Sequence, residues 1–426
     1  MILVEKHQIK KNSTKWKDCD RLSYIMKNLY NSSLYYIRQH YFSNNYSFKD
    51  SSNNYVFNSA QLYHAMKNSK EFRTDQHHEY NGYLANTKIL KMTYRQIERT
   101  FKGYYKALKS YYNNPNKFTG MPKLPNYKPK KGRSEVTVNK EAISFKKESY
   151  AHVSRTNIYV KLINADRYSL KEIKIVPKGD CYEILVSYES KEKSPSTNNP
   201  TKIVGLDIGL DNLAALSSND MSFKPFLVNG RPLKSINQYY NKKKGKFQSL
   251  LPKNCHWSNH LSILTRKRNN KLNTELHNAS NYILNQLINS GTEMLVVGNN
   301  KGIKDSINIG KKNNQNFVGI PFYKLRKMLE YKCKLAGIYY VETEESYTSK
   351  CSFLDMEDMK KHSSYQGKRV ERGLFKSYNG DSINSDINGS LNIIRKVAGN
   401  HCFNYQSKWD LVEGYAVSPL KVTVCN

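Results

Sequence analysis

Acidic residues are scarce in this chain. Its 426 residues include 35 aspartates and glutamates against 69 lysines and arginines, a formal net charge of +34. Self-repulsion on that scale works against a compact fold unless counter-charge is supplied. A polyanionic partner is therefore expected, and nucleic acid ahead of an anionic membrane, because no basic amphipathic anchor stands out. Long apolar runs are missing too. No stretch approaches the ~18 consecutive apolar residues of a membrane span, and the opening MILVEKHQIKKNSTK has no secretory apolar core or small-residue cleavage site. Cysteine is thin: residues 19, 181, 255, 333, 351, 402 and 425, with no CxxC pair. That argues against a disulfide scaffold or a sequence-evident zinc site, and for a reducing interior. Apolar residues make up only 38% of the chain, yet 33 tyrosines and 15 phenylalanines supply enough bulk for real cores.

At roughly 100–200 residues per domain, the length predicts two to four domains. Residues 1–12 read as one strand. Residues 16–118 read as helical, with Leu22, Ile25, Met26 and Leu29 on one stripe and Tyr94, Ile97, Phe101, Tyr104, Tyr105 and Leu108 on another. The asparagine-rich stretch Asn44 to Asn58 reads as a loop between them. From Pro115 a proline- and lysine-rich segment cannot continue a helix. The β-branched runs VTVNKEAISFKK, NIYVKLIN, LKEIKIVPKG and CYEILVSYES then predict a small β-barrel or sandwich. A polar linker, Lys191 to Thr201, leads into an α/β pattern. Its strands are expected at Ile203–Leu210, Asn212–Ser217, Pro225–Val228, Met294–Val297 and Ile338–Val341, with basic helical material from Lys234 to Ile288. A closing helix over Ser385–Val397 has Ile387, Leu391, Ile394 and Val397 on its apolar face.

Three acidic motifs interrupt this basic background. Asp207 stands inside the apolar run VGLDIGLDNLAAL, between Gly205 and Gly209. A carboxylate in a buried strand is costly unless it is hydrogen-bonded, paired or bound to metal. The glycines leave room for a ligand or another backbone. Asp386, in INSDINGSLNIIRKV, falls at a helix start, where capping is its simplest role and Ser385 is an equal candidate. Glu344 and Glu345, in EESYTSKCSF, follow the Ile338–Val341 strand at its carboxyl end, where open α/β sheets place their sites.

Together, GLDIGLDNLAALS, NNQNFVGIPFYKLRKMLEYKCKLAGI, SYTSKCSFLD, RGLFKSYNG and NSDINGSLNIIRK, in that order, resemble the TnpB transposon-associated nucleases and their Fanzor relatives. The resemblance is specific over about 200–400 and rests elsewhere on the order of elements. It implies a multidomain α+β and α/β fold. A wedge β-barrel (1–15 and 119–198) would carry an inserted helical recognition domain (16–118). A RuvC-like, RNase H-fold nuclease domain (199–426) would follow, with a degenerate zinc-ribbon insertion around 348–380. It implies an RNA-guided DNA endonuclease using two Mg²⁺ ions, with a guide (omega) RNA, a target DNA bearing a short adjacent motif, one protein copy per RNA and no membrane. The compartment would be the cytoplasm or nucleoid in a prokaryote and the nucleus in a eukaryote.

By the resemblance, Asp207 is the first metal-binding aspartate and Asp386 the last. The usual second-motif glutamate follows the fourth strand, where this chain reads MLVVGNNKG with Gly298 at the expected place. Neighbouring strands lie ~4.8 Å apart, so a glutamate ending the fifth strand reaches the same point. Glu345, directly before the Ser-Tyr-Thr-Ser run, is expected to take over. The zinc ribbon's CxxC pairs are absent, and Cys351 with His362 cannot supply four ligands. No zinc is expected, and Phe353, Leu354 and Tyr365 would hold that loop by packing. Arg372 is a candidate to steady a phosphate or a plain surface charge. Lysines and Arg133 of KPKKGR, and the run Lys242 to Lys246, suit phosphate contacts. Base-reading residues are sought within 50–125. Two other readings stay open: a nuclease-dead RNA-guided repressor, which Gly298 favours, and an RNA-binding accessory protein.

Overall fold

The computed structural model describes residues 1–43, 57–73, 83–147, 149–195, 197–299, 318–403 and 416–424. The loop expected at Asn44 to Asn58 lies almost wholly outside them. The chain divides into two compact units, Met1–Ser190 and Lys191–Asn426.

In the first unit, β1 (Ile2–Lys10) pairs antiparallel along its whole length with β7 (Cys181–Glu189), the unit's last strand. The four-stranded sheet runs β1-β7-β6-β2, with β2 at Val136–Asn139 and β6 at Leu170–Pro177. A second antiparallel sheet holds β3 (Ile143–Lys147), β4 (Tyr150–Val153) and β5 (Tyr159–Lys161). Among the described residues, strand pairing does not close either sheet into a barrel. Between β1 and β2 in the chain the described residues form α1 (Trp16–Ser43), α2 (Ser59–Met66) and α3 (Thr87–Asn113). The expected stripes form their core. Leu22, Met26, Leu29, Tyr94 and Ile97 are buried with Val136, Ile173 and Ile184 of the sheet. Tyr104 and Tyr105 only pack against its margin.

In the second unit, a six-stranded sheet has the order β12-β11-β8-β9-β10-β16. Its strands are β8 (Ile203–Asp207), β9 (Asn212–Ser218), β10 (Phe226–Asn229), β11 (Met294–Gly298), β12 (Tyr339–Thr343) and β16 (Leu420–Val422). Strands β8, β11 and β12 run parallel, while β9 is antiparallel to both β8 and β10. The centre is apolar on both faces: every residue of β11 is buried, as expected for parallel strands covered twice. Helices α5 (Asn259–Asn289) and α6 (Phe322–Ala336) bury Leu276, Ile283, Leu325 and Leu329 in the core that holds Val204, Leu206 and Leu295. The other core gathers Ile203, Val296 and Ala215 with α7 (Ser385–Ala398).

Strand β8 is shorter than the sequence suggests, ending at Asp207 rather than Leu210. On α7, Val397 is 39% exposed and Ile393 takes the buried place. The basic stretch from Lys234 splits into α4 (Arg231–Ser249) and α5. Between β12 and α7 lies a three-stranded hairpin sheet: β13 (Lys368–Glu371), β14 (Leu374–Lys376) and β15 (Ser382–Asn384). No described helix is long and apolar enough to cross a membrane.

Candidate active site

Helix α7 is the frame of the site. At Gly205 on β8 an added Cβ would collide with the Ser390 carbonyl oxygen of α7 and lie 2.7 Å from Ile394 Cγ1. The glycine thus admits a backbone, one of the two uses the sequence left open. Ser217 and Ser390 hydroxyls close the same contact at 2.5 Å. One residue earlier on α7, a Cβ on Gly389 would stand 2.9 Å from Asp207 Oδ2. A glycine on β8 and a glycine on α7 therefore let the helix close onto the strand that carries Asp207.

The same helix pins the segment that carries Glu345. The Asn388 amide donates to the Cys351 carbonyl at 3.0 Å and accepts from the Phe353 N–H at 2.9 Å. The Asn392 amide donates to the Thr348 and Cys351 carbonyls at 3.0 and 2.9 Å. Both asparagines are fully buried, so these bonds replace water that the backbone groups have lost. Thr348 donates through its hydroxyl and its N–H to the Glu345 carbonyl, fixing the turn, and Tyr347 inside it adopts φ +67°.

Strand β12 lies beside β11 with Thr343 opposite Gly298. From two residues further on, Glu345 folds its side chain back over Gly298. A Cβ there would lie 2.7 Å from Glu345 Cγ and 2.8 Å from Ile393 Cδ1. The space that a second-motif side chain would fill is occupied by Glu345. Its neighbour Glu344 is exposed and faces the other way, toward Lys396 at 3.7 Å.

Asp386 sits in the first turn of α7, but the cap is Asn384, whose side chain accepts from the Asp386 and Ile387 N–H groups. The sequence reading of Asp386 or Ser385 as cap is corrected: the three-residue strand β15 delivers Asn384 in an extended conformation at the helix entry. Released from capping, the Asp386 carboxylate accepts from Asn212 Nδ2 at 2.6 Å and from Arg369 Nη2 at 3.2 Å. Asn212 and Arg369 were not among the candidates. Asn212 had a signal in its place within the first motif; Arg369 had none beyond its charge.

The electrostatics of the three acids follow from this crowding. Asp207 keeps some solvent contact at the end of β8 but is densely surrounded by protein. Burial, then the charges of Glu345 and Asp386, push its carboxyl well above the usual range, against a smaller pull from Arg369. Burial raises Glu345 to about 7, although Arg326 and Lys396 oppose the shift. Glu345 and Asp386 are thus both within electrostatic reach of Asp207. Among the described residues, however, no three His, Cys, Asp or Glu side chains converge tightly enough to hold a metal ion as they stand. The donor chemistry nevertheless suits a hard divalent cation: three carboxylates, no thiolate, and a repulsion that a cation relieves.

Around the rim, Asp211 meets both Lys234 and Arg372, so Arg372 has an acidic partner while its side chain stays 81% exposed. In the ribbon segment, Cys351 Sγ and His362 Nε2 approach the same Asp358 carbonyl at 3.3 and 2.7 Å. Phe353 and Leu354 are buried in the α7 core, whereas Tyr365 meets His362 edge-on and has Lys350 Nζ 5.9 Å from its ring centre. In the first unit, Arg133 makes two 2.8 Å bonds to the Asp20 carboxylate. Of the KPKKGR residues expected to suit phosphate contacts, Arg133 thus has an acidic partner within the protein.

Two family models match this chain. One is described as a probable transposase (OrfB_IS605), over residues 184–304, and the other as the TNB domain of Cas12f1-like proteins, over 322–393. A TnpB-like protein, ORF457 of Acidianus two-tailed virus, is 25% identical over 54% of this chain and 49% of its own length. The CRISPR-associated endodeoxyribonuclease Cas12f2 of a Micrarchaeota archaeon is 26% identical over 51% of this chain and 41% of its own. The chain thus spans about half the length or less of the curated relatives it matches. A cryo-EM structure of a Cas12f1–sgRNA–target DNA complex shares the fold with a TM-score of 0.53 at 14% identity, over 89% of this chain and 83% of that one. These matches bear out the resemblance to TnpB-type proteins and the mixed α/β, multidomain character of the chain.

Proposed function

We propose that this chain, a relative of the TnpB family, is an RNA-guided DNA endonuclease that hydrolyses phosphodiester bonds at Asp207, Glu345 and Asp386. The observation that carries the reading is Glu345 lying over Gly298: the carboxylate missing from β11 is supplied from just past the neighbouring strand, beside Asp207. We read the second unit as a RuvC-like nuclease of RNase H type, which its strand order supports. The first unit reads as a wedge with inserted recognition helices, which the pairing of β1 with β7 supports. A guide RNA and a target DNA are the polyanions that the +34 charge calls for.

Asp207, Glu345 and Asp386 would hold Mg²⁺, two ions by the family pattern. When bound, Mg²⁺ neutralises charge on the scissile phosphate and lowers the pKa of a coordinated water. The chain's own contribution is position. Asn212 orients the Asp386 carboxylate, Asn388 and Asn392 fix the Glu345 turn, and Gly389 lets α7 close on Asp207. Arg369 and Arg372 lie on carboxylates at the rim. The Arg369 guanidinium, on Asp386, and the exposed Arg372, on Asp211, would offer donors to a phosphate.

The test is cleavage of guide-matched DNA by the protein purified with its own RNA, in Mg²⁺. Wild type should cut, and Asp207→Ala and Asp386→Ala should bind both nucleic acids without cutting. A wild type that binds and does not cut establishes the repressor reading instead, which Gly298 in place of the usual second-motif glutamate favours.

A further inference from the structure

Helices α4 and α5 enclose a groove of about 760 Å³, within the size range of small-ligand pockets. Its lining is mostly apolar and aromatic. Phe247 of α4 and His260 of α5 meet across it with ring centres 6.1 Å apart, and Tyr239, 61% exposed, stands on the α4 side. Lysines 243, 267 and 271 line the same groove, and Lys243 Nζ lies 5.8 Å from the Tyr239 ring centre. No ion pair among the described residues engages these three lysines. From Arg231 to Thr274 the chain has no aspartate or glutamate, and four of the five residues 242–246 are lysine. Arg268 is different: it bonds Asn237 Oδ1 at 2.8 Å and the Gly319 carbonyl at 2.7 Å, so it ties α4 to α5 and is left to structure.

A neutral membrane or an apolar helix would use the apolar lining but leave the lysines unmatched. Aromatic faces that stack on bases, beside cations that follow a backbone, match a single nucleic-acid strand. Ser235 and His260 in the lining add groups able to bond a ribose 2′-hydroxyl. We propose that the α4–α5 groove binds unpaired nucleotides of single-stranded RNA, with a base on Tyr239 and phosphates on Lys243, Lys267 and Lys271. The proposal is independent of cleavage, since none of the three site carboxylates takes part.

The experiment uses the full chain, washed free of RNA at high salt. A 12-nucleotide oligouridylate carrying 4-thiouridine is crosslinked to it by light and the peptides are mapped. Crosslinks are expected within 235–247 and 260–271. In anisotropy titrations, Tyr239→Ala should weaken the oligouridylate about tenfold, while Tyr239→Phe keeps wild-type affinity. An abasic oligomer of equal length should bind wild type and Tyr239→Ala alike. Lys243→Gln with Lys267→Gln should weaken both oligomers and flatten the salt slope by about 0.7 per lysine. Crosslinks confined to other segments, or unchanged oligouridylate binding by Tyr239→Ala, would overturn the proposal. So would equal binding of the deoxy-oligomer, or a dimer that Tyr239→Ala dissolves while RNA affinity stays the same.

Discussion

Two aspartates, one in each unit, show how differently this protein treats its few acids. In the first unit, Asp20 lies between Arg133, which gives it two 2.8 Å bonds, and Tyr182, whose hydroxyl donates at 2.7 Å. Arg133 above all, with the Tyr182 bond, holds its carboxyl below the usual range. In the second unit, Asp207 is surrounded by protein, and burial with the charges of Glu345 and Asp386 raises its carboxyl. Asp20 is placed to hold β7 and the segment before β2 to α1. Asp207 is placed where ionisation is opposed, although lysines and arginines outnumber acids two to one. An arrangement that works against stability in the metal-free chain is what a cation-binding site requires.

Breaking that contrast at its functional end should have the largest effect. Asp207→Asn and Asp386→Asn should each lower guided cleavage by at least ~1,000-fold, several kcal/mol of transition-state stabilisation. RNA bound on purification should not change, because the cationic contacts are many and dispersed.

Next comes stability, with opposite signs for the two acids. Glu345 has a folded pKa of about 7, above its ordinary 4.5. Between those values the folded state binds more protons than the unfolded one, so metal-free stability falls as pH rises from about 4.5 to 7 and stays reduced above. Glu345→Gln should therefore stabilise the metal-free protein at pH 8 by about 3 kcal/mol at most, and the gain should vanish by pH 4.5. Mg²⁺ should raise the melting temperature of wild type at pH 8 and raise that of Glu345→Gln much less. Calorimetry with and without chelator reads both. By contrast, Arg133→Ala should destabilise by about 1–2 kcal/mol, since it strips a two-point partner from a half-exposed Asp20. Glu344→Gln should be smallest, changing cleavage by no more than about twofold, because its side chain is exposed and faces Lys396.

Much of the arrangement was legible in the sequence because it is periodic or chemically expensive. The stripes of α1 and α3 and the apolar runs of β8, β9 and β11 each have one economical reading, and the acid between glycines stands out as costly, although its sequence alone left its partner open. What escaped depends on three-dimensional neighbours. Asn384 displaced Ser385 and Asp386 as cap because a strand of three residues ends there. Ile393 replaced Val397 because the sheet meets α7 over its middle turns. Arg133 has the composition of a phosphate contact, and nothing local reveals that Asp20, 113 residues earlier, holds it. Arg369 gave no signal for the same reason: its partner is chosen by the fold of the β13–β15 hairpin.

The central claim is that Glu345, two residues past β12, supplies the carboxylate that Gly298 on β11 lacks. Its most direct test is the cleavage rate of Glu345→Gln beside that of Glu344→Gln, each with native guide RNA, matched DNA and saturating Mg²⁺. The account predicts that Glu345→Gln is inert and Glu344→Gln cuts like wild type. Normal cutting by Glu345→Gln would contradict it.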